Sequence, residues 1–187
     1  MRLNPTEIPT FLCERAQWVN HKDKVPLQSK NPDRRADKTN PHHWSDFETA
    51  VTAAGKNEEI DGIGFVVTAR DNVVGFDLDH CRDSETGEIE SWAQEIVGAL
   101  DTYFEVSPSG TGLRGFATGK LPEGRRRRGG IEIYDEAWYF TVTGDHLDET
   151  PETVENRQDK IRALHKEYLA EDEPTSEPHD TPREPVD

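Results

Sequence analysis

Two aspartates stand one residue apart at the end of an apolar run, Val73-Val74-Gly75-Phe76-Asp77-Leu78-Asp79. In an extended strand the side chains alternate, so Val74, Phe76 and Leu78 point one way while Gly75, Asp77 and Asp79 point the other. Two carboxylates this close repel unless a cation lies between them, and their hard oxygens suit Mg²⁺ or Mn²⁺. The same alternation in "GGIEIYDEAWYF" turns Ile131 and Ile133 inward and Glu132 outward, which supplies a third carboxylate on a second strand. Three acids on one sheet face can hold two metals for phosphoryl transfer. Between them, "SPSGTGLRG" offers the hydroxyls of Ser107, Ser109 and Thr111, and its Gly110 and Gly112 let backbone N–H groups approach phosphate oxygens. Arg114 adds a planar, permanently charged donor fork. The run Arg125, Arg126, Arg127, Arg128 leads into the Glu132 strand and suits a nucleic-acid backbone.

Each feature also has a plainer reading. A lone Asp-x-Asp is often surface charge, a Ser/Gly loop often only turns the chain, and an arginine run can be a solvated loop beside acids. His42, His43, His80 and Cys81 match no usual zinc spacing. Trp44, Trp92 and Trp138 read as core. The conjunction of acids, loop and arginines is what points to chemistry.

The elements that must position these groups follow from local pattern. A short helix within Pro9–Val19 leads into a strand start, and "NHKDKVPLQSKNPDRRADKTNPHH" reads as a long polar surface loop. "HWSDFETAVTAAGK" is a helix with Ser45 as N-cap, Glu48 three residues on and Gly55 as its stop. Ile63–Thr68 and Val73–Asp79 read as a hairpin around "ARDN". "ESWAQEIVGALDTYF" is helical, "FEVSPSGTGLRGFATG" is strand–loop–strand, and "GGIEIYDEAWYFTVTG" is a second hairpin turning at Asp135–Ala137. A last helix is expected from Thr150, with Pro151 in its first turn. The domain organisation is a single catalytic domain over 1–168, with an acidic, proline-rich tail or linker over 169–187.

With 187 residues there is room for one full domain, and with 38 acids against 22 bases the formal charge is −16 and the pI about 4.8. Such a balance ordinarily argues against nucleic acid, but the acid coat of a halophile gives the same numbers, and at molar salt the Debye length shrinks to about 3 Å. Two cysteines form no disulfide framework, and no stretch approaches the roughly 18 apolar residues of a membrane span. A cytoplasmic protein with no membrane partner is the expectation.

The ordered set "WVNHKDKVP", "HHWSDFETA", "GIGFVVT", "GFDLDHC", "SPSGTGLRGF" and "GGIEIYDEAWYFTVTG" resembles the primase-polymerase domain of the archaeo-eukaryotic primase superfamily, in its phage, plasmid and mobile-element form. The likeness runs from about Ala16 to Leu147. It implies an α/β (α+β) fold, with an RRM-like antiparallel or mixed sheet carrying the acids and an N-terminal α/β unit. By the resemblance, Asp77, Asp79 and Glu132 are the catalytic metal ligands, and Ser107, Ser109, Gly110, Thr111 and Gly112 hold the nucleotide's phosphates. Arg114 stands where the family usually carries a histidine. The function implied is a metal-dependent nucleotidyltransferase that makes or extends primers, working with nucleoside triphosphates, a single-stranded DNA template or primer and a replicative helicase. The rival is a primase-like domain that only binds DNA or nucleotide within a replication complex. A haloacid-dehalogenase-type phosphatase would want a longer parallel α/β domain, and a nuclease would want lysine where Tyr134 stands.

Overall fold

The structure, a computed structural model, describes residues 3–170. In chain order it runs α1 (Thr10–Cys13), β1 (Trp18–Lys22), β2 (Val25–Gln28), β3 (Asn31–Arg35), α2 (Phe47–Lys56), β4 (Gly62–Val67), β5 (Val73–Leu78) and α3 (Ser91–Leu100). There follow β6 (Phe104–Val106), β7 (Leu113–Thr118), β8 (Arg127–Arg128), β9 (Ile131–Tyr134), β10 (Trp138–Val142), β11 (Glu155–Asn156) and α4 (Gln158–Leu164), which passes into a π turn over His165–Leu169. The strands form two sheets. The first has the order β10-β4-β1-β2-β3; the second has β11-β7-β5-β9-β8, with β6 also on β7. All pairings are antiparallel except β11 with β7. This mixed α+β architecture agrees with the fold class read from the sequence.

Alternation divides the second sheet as expected. Val74, Phe76 and Leu78 pack beneath α3 and α4 with Ala93, Ile96, Leu100, Ile161 and Leu164. The opposite face of β5 meets the first sheet: Val73 and Phe116 join Trp18, Ile63, Phe65 and Phe140 in a second core closed by α1 and α2. At Gly75 the approach is so close that a Cβ would lie 2.2 Å from the Phe140 ring. Only glycine lets β10 cross there.

Several expected elements differ. The two segments read as hairpins are not hairpins, because β4 and β10 belong to the first sheet and β5 and β9 to the second. β4 is apolar without alternation and buried at every position, as in a strand covered on both faces, while β9 alternates between buried and half-buried positions. Each connection therefore arches from one sheet to the other. The expected surface loop after Val19 contains the end of β1 and all of β2 and β3. Asp23 (φ 49°) and Lys24 (φ 62°) supply a two-residue turn of left-handed residues without the usual Asn-Gly.

Asp46, not Ser45, caps α2, accepting from the Thr49 amide at 2.8 Å, while the Ser45 hydroxyl donates to the Trp18 carbonyl at 3.3 Å. The helix passes Gly55 and ends at Lys56. The last helix begins at Gln158, eight residues after Thr150, since Glu155 and Asn156 first pair with Ala117 and Thr118. The tail expected over 169–187 lies, from 171 onward, outside the described residues. Among the described residues no helix is long and apolar enough to cross a membrane.

Candidate active site

Strand register collects the charged residues into one row. On β5, Asp77 is opposite Arg114 of β7 on one side and Glu132 of β9 on the other. Outward from these, Glu105 of β6 is opposite Arg114, and Arg127 of β8 is opposite Glu132. Directly paired residues share a face, so Glu105, Arg114, Asp77, Glu132 and Arg127 form a single charged rung across five strands. The face changes character within two residues of β5, from Gly75 under the Phe140 ring to Asp77 in the rung.

Arg114 organises the centre of the rung. Its Nε and Nη2 donate to Asp77 Oδ2 at 3.3 and 3.2 Å, and its Nη1 donates to the Thr141 carbonyl of β10 at 3.1 Å. The guanidinium thus ties the two sheets together. Each member of the pair keeps only 14% of its side-chain surface exposed. Burial pushes the Asp77 carboxyl above its usual range; Arg114 opposes that shift, and the charges of Asp79 and Glu132 add to it. Asp77 Oδ1 is buried with no hydrogen-bond partner.

Glu132 is more open. Its Oε2 accepts from the Tyr134 hydroxyl at 3.1 Å, and its Oε1 lies 3.9 Å from Arg127. Asp79 follows the end of β5, its amide donating to the Gly130 carbonyl at 2.8 Å. Two glycines allow its neighbours to close in: a Cβ on Gly112 would sit 2.6 Å from the Leu78 carbonyl oxygen, and one on Gly130 would sit 2.7 Å from that of Asp79.

That contact at Gly112 places the Ser107–Gly112 loop against the strand end carrying the acid pair. The Ser107 amide donates to the Gly112 carbonyl (2.9 Å), and the Gly112 amide donates to Ser107 Oγ (3.1 Å). Ser109 Oγ lies between Ser107 Oγ at 3.1 Å and Thr111 Oγ1 at 2.8 Å, and Gly110 takes φ +76°. The Cys81 and Arg82 amides both donate to the Thr111 carbonyl, and Arg82 Nη1 donates to that of Gly110 at 2.8 Å. A cleft of about 590 Å³ opens beside the loop, lined by Arg82, Ser84, Ser107, Ser109, Gly110 and Thr143 among others.

The arginine run divides. Arg126 turns inward to the Pro122 carbonyl (2.8 Å) and Asp135 (3.5 Å), Arg127 faces Glu132 with 75% of its side chain exposed, and Arg125 and Arg128 lie on the surface.

The structure also brings in residues that the sequence reading did not single out. Glu105 is fully buried and accepts from the Tyr103 hydroxyl (2.8 Å) and the Thr143 and Gly144 amides (2.8 and 3.0 Å); burial raises its carboxyl, and these donors oppose that. His21 of β1 is 4% exposed with both ring nitrogens unpartnered, and burial lowers its pKa to about 4, the Arg114 charge contributing in the same direction. Thr141 Oγ1 is likewise buried without a partner. Strand alternation through "WVNHK" would have placed His21 on the Val19 face, had that segment been read as strand.

Among the described residues no three His, Cys, Asp or Glu side chains are grouped tightly enough to hold one ion. The donor chemistry nevertheless fits a hard divalent cation. Two carboxylates in direct register repel one another, and Asp77 retains a buried oxygen that nothing satisfies.

An acid row on a sheet beside a hydroxyl- and glycine-rich loop defines a class of site, one suited to phosphoryl or nucleotidyl groups. No protein-family model matches the chain. It is 34% identical over 157 residues to the DNA primase-polymerase of Nitratiruptor phage NrS-1, a match that takes in 76% of this chain and 21% of that protein. The chain thus spans about a fifth of that relative's length, and the likeness supports kinship with primase-polymerases.

Proposed function

We propose that this chain is a metal-dependent nucleotidyltransferase domain that makes or extends DNA primers in replication. The observation that carries the reading is the packing of the Ser107–Gly112 loop against the end of β5, the strand on which Asp77 is opposite Glu132 and which Asp79 follows directly. A triphosphate on that loop would present its α-phosphate to the acids. Similarity to a phage DNA primase-polymerase points the same way.

Asp77, Asp79 and Glu132 would hold Mg²⁺ or Mn²⁺. Bound there, the ions would neutralise charge on the phosphoryl oxygens and lower the pKa of the attacking 3′ hydroxyl. The residues of the chain do the positioning. The hydroxyls of Ser107, Ser109 and Thr111 take the β- and γ-phosphates; the Gly110 and Gly112 amides, expected from the sequence to do so, instead hold the loop in shape by donating to the Ser107 carbonyl and hydroxyl. Arg114 supplies a guanidinium at the rung's centre, able to donate to a triphosphate oxygen from the position it holds beside Asp77. Arg125, Arg127 and Arg128 meet the DNA backbone, while Arg126, expected to join them, is turned inward to Pro122 and Asp135. No covalent nucleophile is required, since alignment and charge neutralisation are the whole task.

Primer extension on a single-stranded template with Mn²⁺ or Mg²⁺, at low and at molar potassium chloride, tests the proposal. Template-directed incorporation that disappears in Asp79→Ala supports it. Nucleotide binding without incorporation under every condition favours a non-catalytic binding domain, a second reading that rests on the Asp77–Arg114 ion pair.

A further inference from the structure

Bases are scarce in this chain, and their placement is uneven. Residues 22–38 hold six bases against three acids, residues 125–128 hold four bases and no acid, and the rest of the chain has twelve bases against thirty-five acids. The two basic segments are almost ninety residues apart in sequence. The fold joins them.

In the first segment, Lys24, Lys30, Arg34 and Arg35 are placed on and around the β2–β3 hairpin, at the edge of the first sheet farthest from β10. The chain then crosses the outer face of that sheet, where Ala36 and Trp44 pack on Val19 and Val66 beside Tyr139. The Trp44 indole donates to the Asp37 carbonyl at 3.3 Å and fixes the crossing. It delivers Lys38 to the opposite edge, with the ammonium 3.9 Å above the Trp138 ring at the start of β10. Trp138 in turn stacks on Tyr134 of β9, centroids 4.4 Å apart and planes 17° from parallel. The Tyr134 hydroxyl reaches Glu132, and Glu132 faces Arg127. A chain of contacts, Lys38–Trp138–Tyr134–Glu132–Arg127, therefore links the basic crossing to the arginine run and passes the acid rung on its way.

We propose that the β2–β3 hairpin, Lys38 and the Arg125–Arg128 run form one continuous track for single-stranded DNA, along which the template is led past Glu132 and Asp77. The inference rests on the nucleotidyltransferase reading for the choice of DNA as partner, and it extends the DNA-binding surface from one four-residue run to a path spanning both sheets. At about 4.8 Å per strand step, the four steps from β3 to β10 alone cover roughly 19 Å, room for several nucleotides. Both faces of Trp138 are already occupied, by Lys38 and by Tyr134. The track consequently holds the strand through its phosphates and not by base stacking, so its binding is indifferent to base sequence and steeply dependent on salt.

The test is fluorescence anisotropy of labelled oligo-dT with the full chain over a range of potassium chloride concentrations. The variant is Lys30→Gln/Arg34→Gln/Arg35→Gln, whose three side chains are exposed. At low salt its affinity should fall at least tenfold, and the slope of log K against log salt should drop by about 2, at roughly 0.7 for each phosphate the variant leaves unneutralised. Its melting temperature and its Mn²⁺-dependent nucleotide binding should match the wild type. Wild-type affinity and slope in the triple variant overturn the track. So does tighter binding of oligo-rU than of oligo-dT through the same hairpin, which would make RNA the partner. If the wild-type chain binds no oligonucleotide at any salt while still binding nucleotide, the track fails and the nucleotide site stands. Loss of nucleotide binding as well would instead strike the nucleotidyltransferase reading.

Discussion

On the second sheet, Arg114 and Asp77 face each other with 14% of each side chain exposed, held by two hydrogen bonds and a third to Thr141. On the first sheet, Lys30, Arg34 and Arg35 stand in solvent on the outer hairpin. Both sets are charged residues on antiparallel strands, yet they do different work. Taking a charge out of water is costly unless a partner is in place, so the rung is a set of mutually dependent positions whose geometry is fixed by pairing. The hairpin bases carry no such obligation; they contribute through a field that salt can screen. Changing one of the buried rung residues, Asp77, Arg114 or Glu105, should therefore disturb folding and function together, while changing a hairpin base should touch only association.

The sharpest test of that contrast lies between two aspartates one residue apart. Asp77→Ala leaves Arg114 largely buried without its counter-charge, and breaking such a pair costs about 3 kcal/mol. Asp79 lies past the end of the strand, so Asp79→Ala should melt like the wild type. Both variants should lose nucleotide incorporation entirely, as assayed by primer extension. Equal melting temperatures for the two would show that the Asp77–Arg114 pair contributes little to the fold, and the proposed division between the sheets would collapse.

Gly112→Ala comes next. The added methyl would meet the Leu78 carbonyl at 2.6 Å, so the loop must lift from the end of β5. We expect a loss of about 2 kcal/mol, as for overpacking, and at least a tenfold weaker nucleotide affinity by titration of a fluorescent nucleotide. An unchanged affinity would mean that the loop does not seat the phosphates.

How much of this was legible beforehand varies by residue. The common face of Asp77 and Glu132 follows from a period of two, which any strand enforces, whereas Asp79, expected on that face too, lies just past the end of β5 where alternation no longer applies. The partners of those strands were not legible, because apolar runs such as Ile63–Val67 and Val73–Phe76 fit a hairpin as well as an arch between sheets; only the Phe140 ring over Gly75 decides. The Arg114–Asp77 contact depends on the register of β5 against β7, which no local pattern encodes. β2 and β3 were hidden because "HKDKVPLQSKNPDRR" is polar and its turn residues, Asp23 and Lys24, are not the usual ones. His21 was lost with them. The class of the site could be read from spacing, but the pairing that holds it required the fold.

His21 extends the comparison to pH, since it is a neutral group buried close enough to the rung to feel Arg114. With a folded pKa of about 4 against an ordinary 6.5, the unfolded chain binds more protons between those values, so stability falls as pH drops from 6.5 toward 4. The loss should reach about 2 kcal/mol by pH 5. His21→Phe removes the titration, and its melting temperature should change less between pH 7 and pH 5 than that of the wild type. An identical pH response in the two proteins would mean that the imidazole is hydrated or protonated in the folded state.

The smallest expected effect separates charge from hydrogen bonding at an exposed acid near the first sheet. Asp46 caps α2 through the Thr49 amide, and this bond is the main reason its carboxyl lies below the usual range. A cap is a local hydrogen bond that satisfies an otherwise orphaned helix donor, so its value should survive salt that screens the hairpin bases. Asp46→Ala should lower stability by about 1 kcal/mol, and Asp46→Asn, which keeps the acceptor and loses the charge, by only a few tenths. Because the folded pKa is depressed, the stabilisation is present above the unfolded value and disappears as pH falls through the folded one. Thermal melts of both variants at low and molar potassium chloride check this. If salt erases the Asp46→Ala difference, the exposed acids near the first sheet act through their field as the hairpin bases do, and the line between pairing and field must be drawn at burial alone.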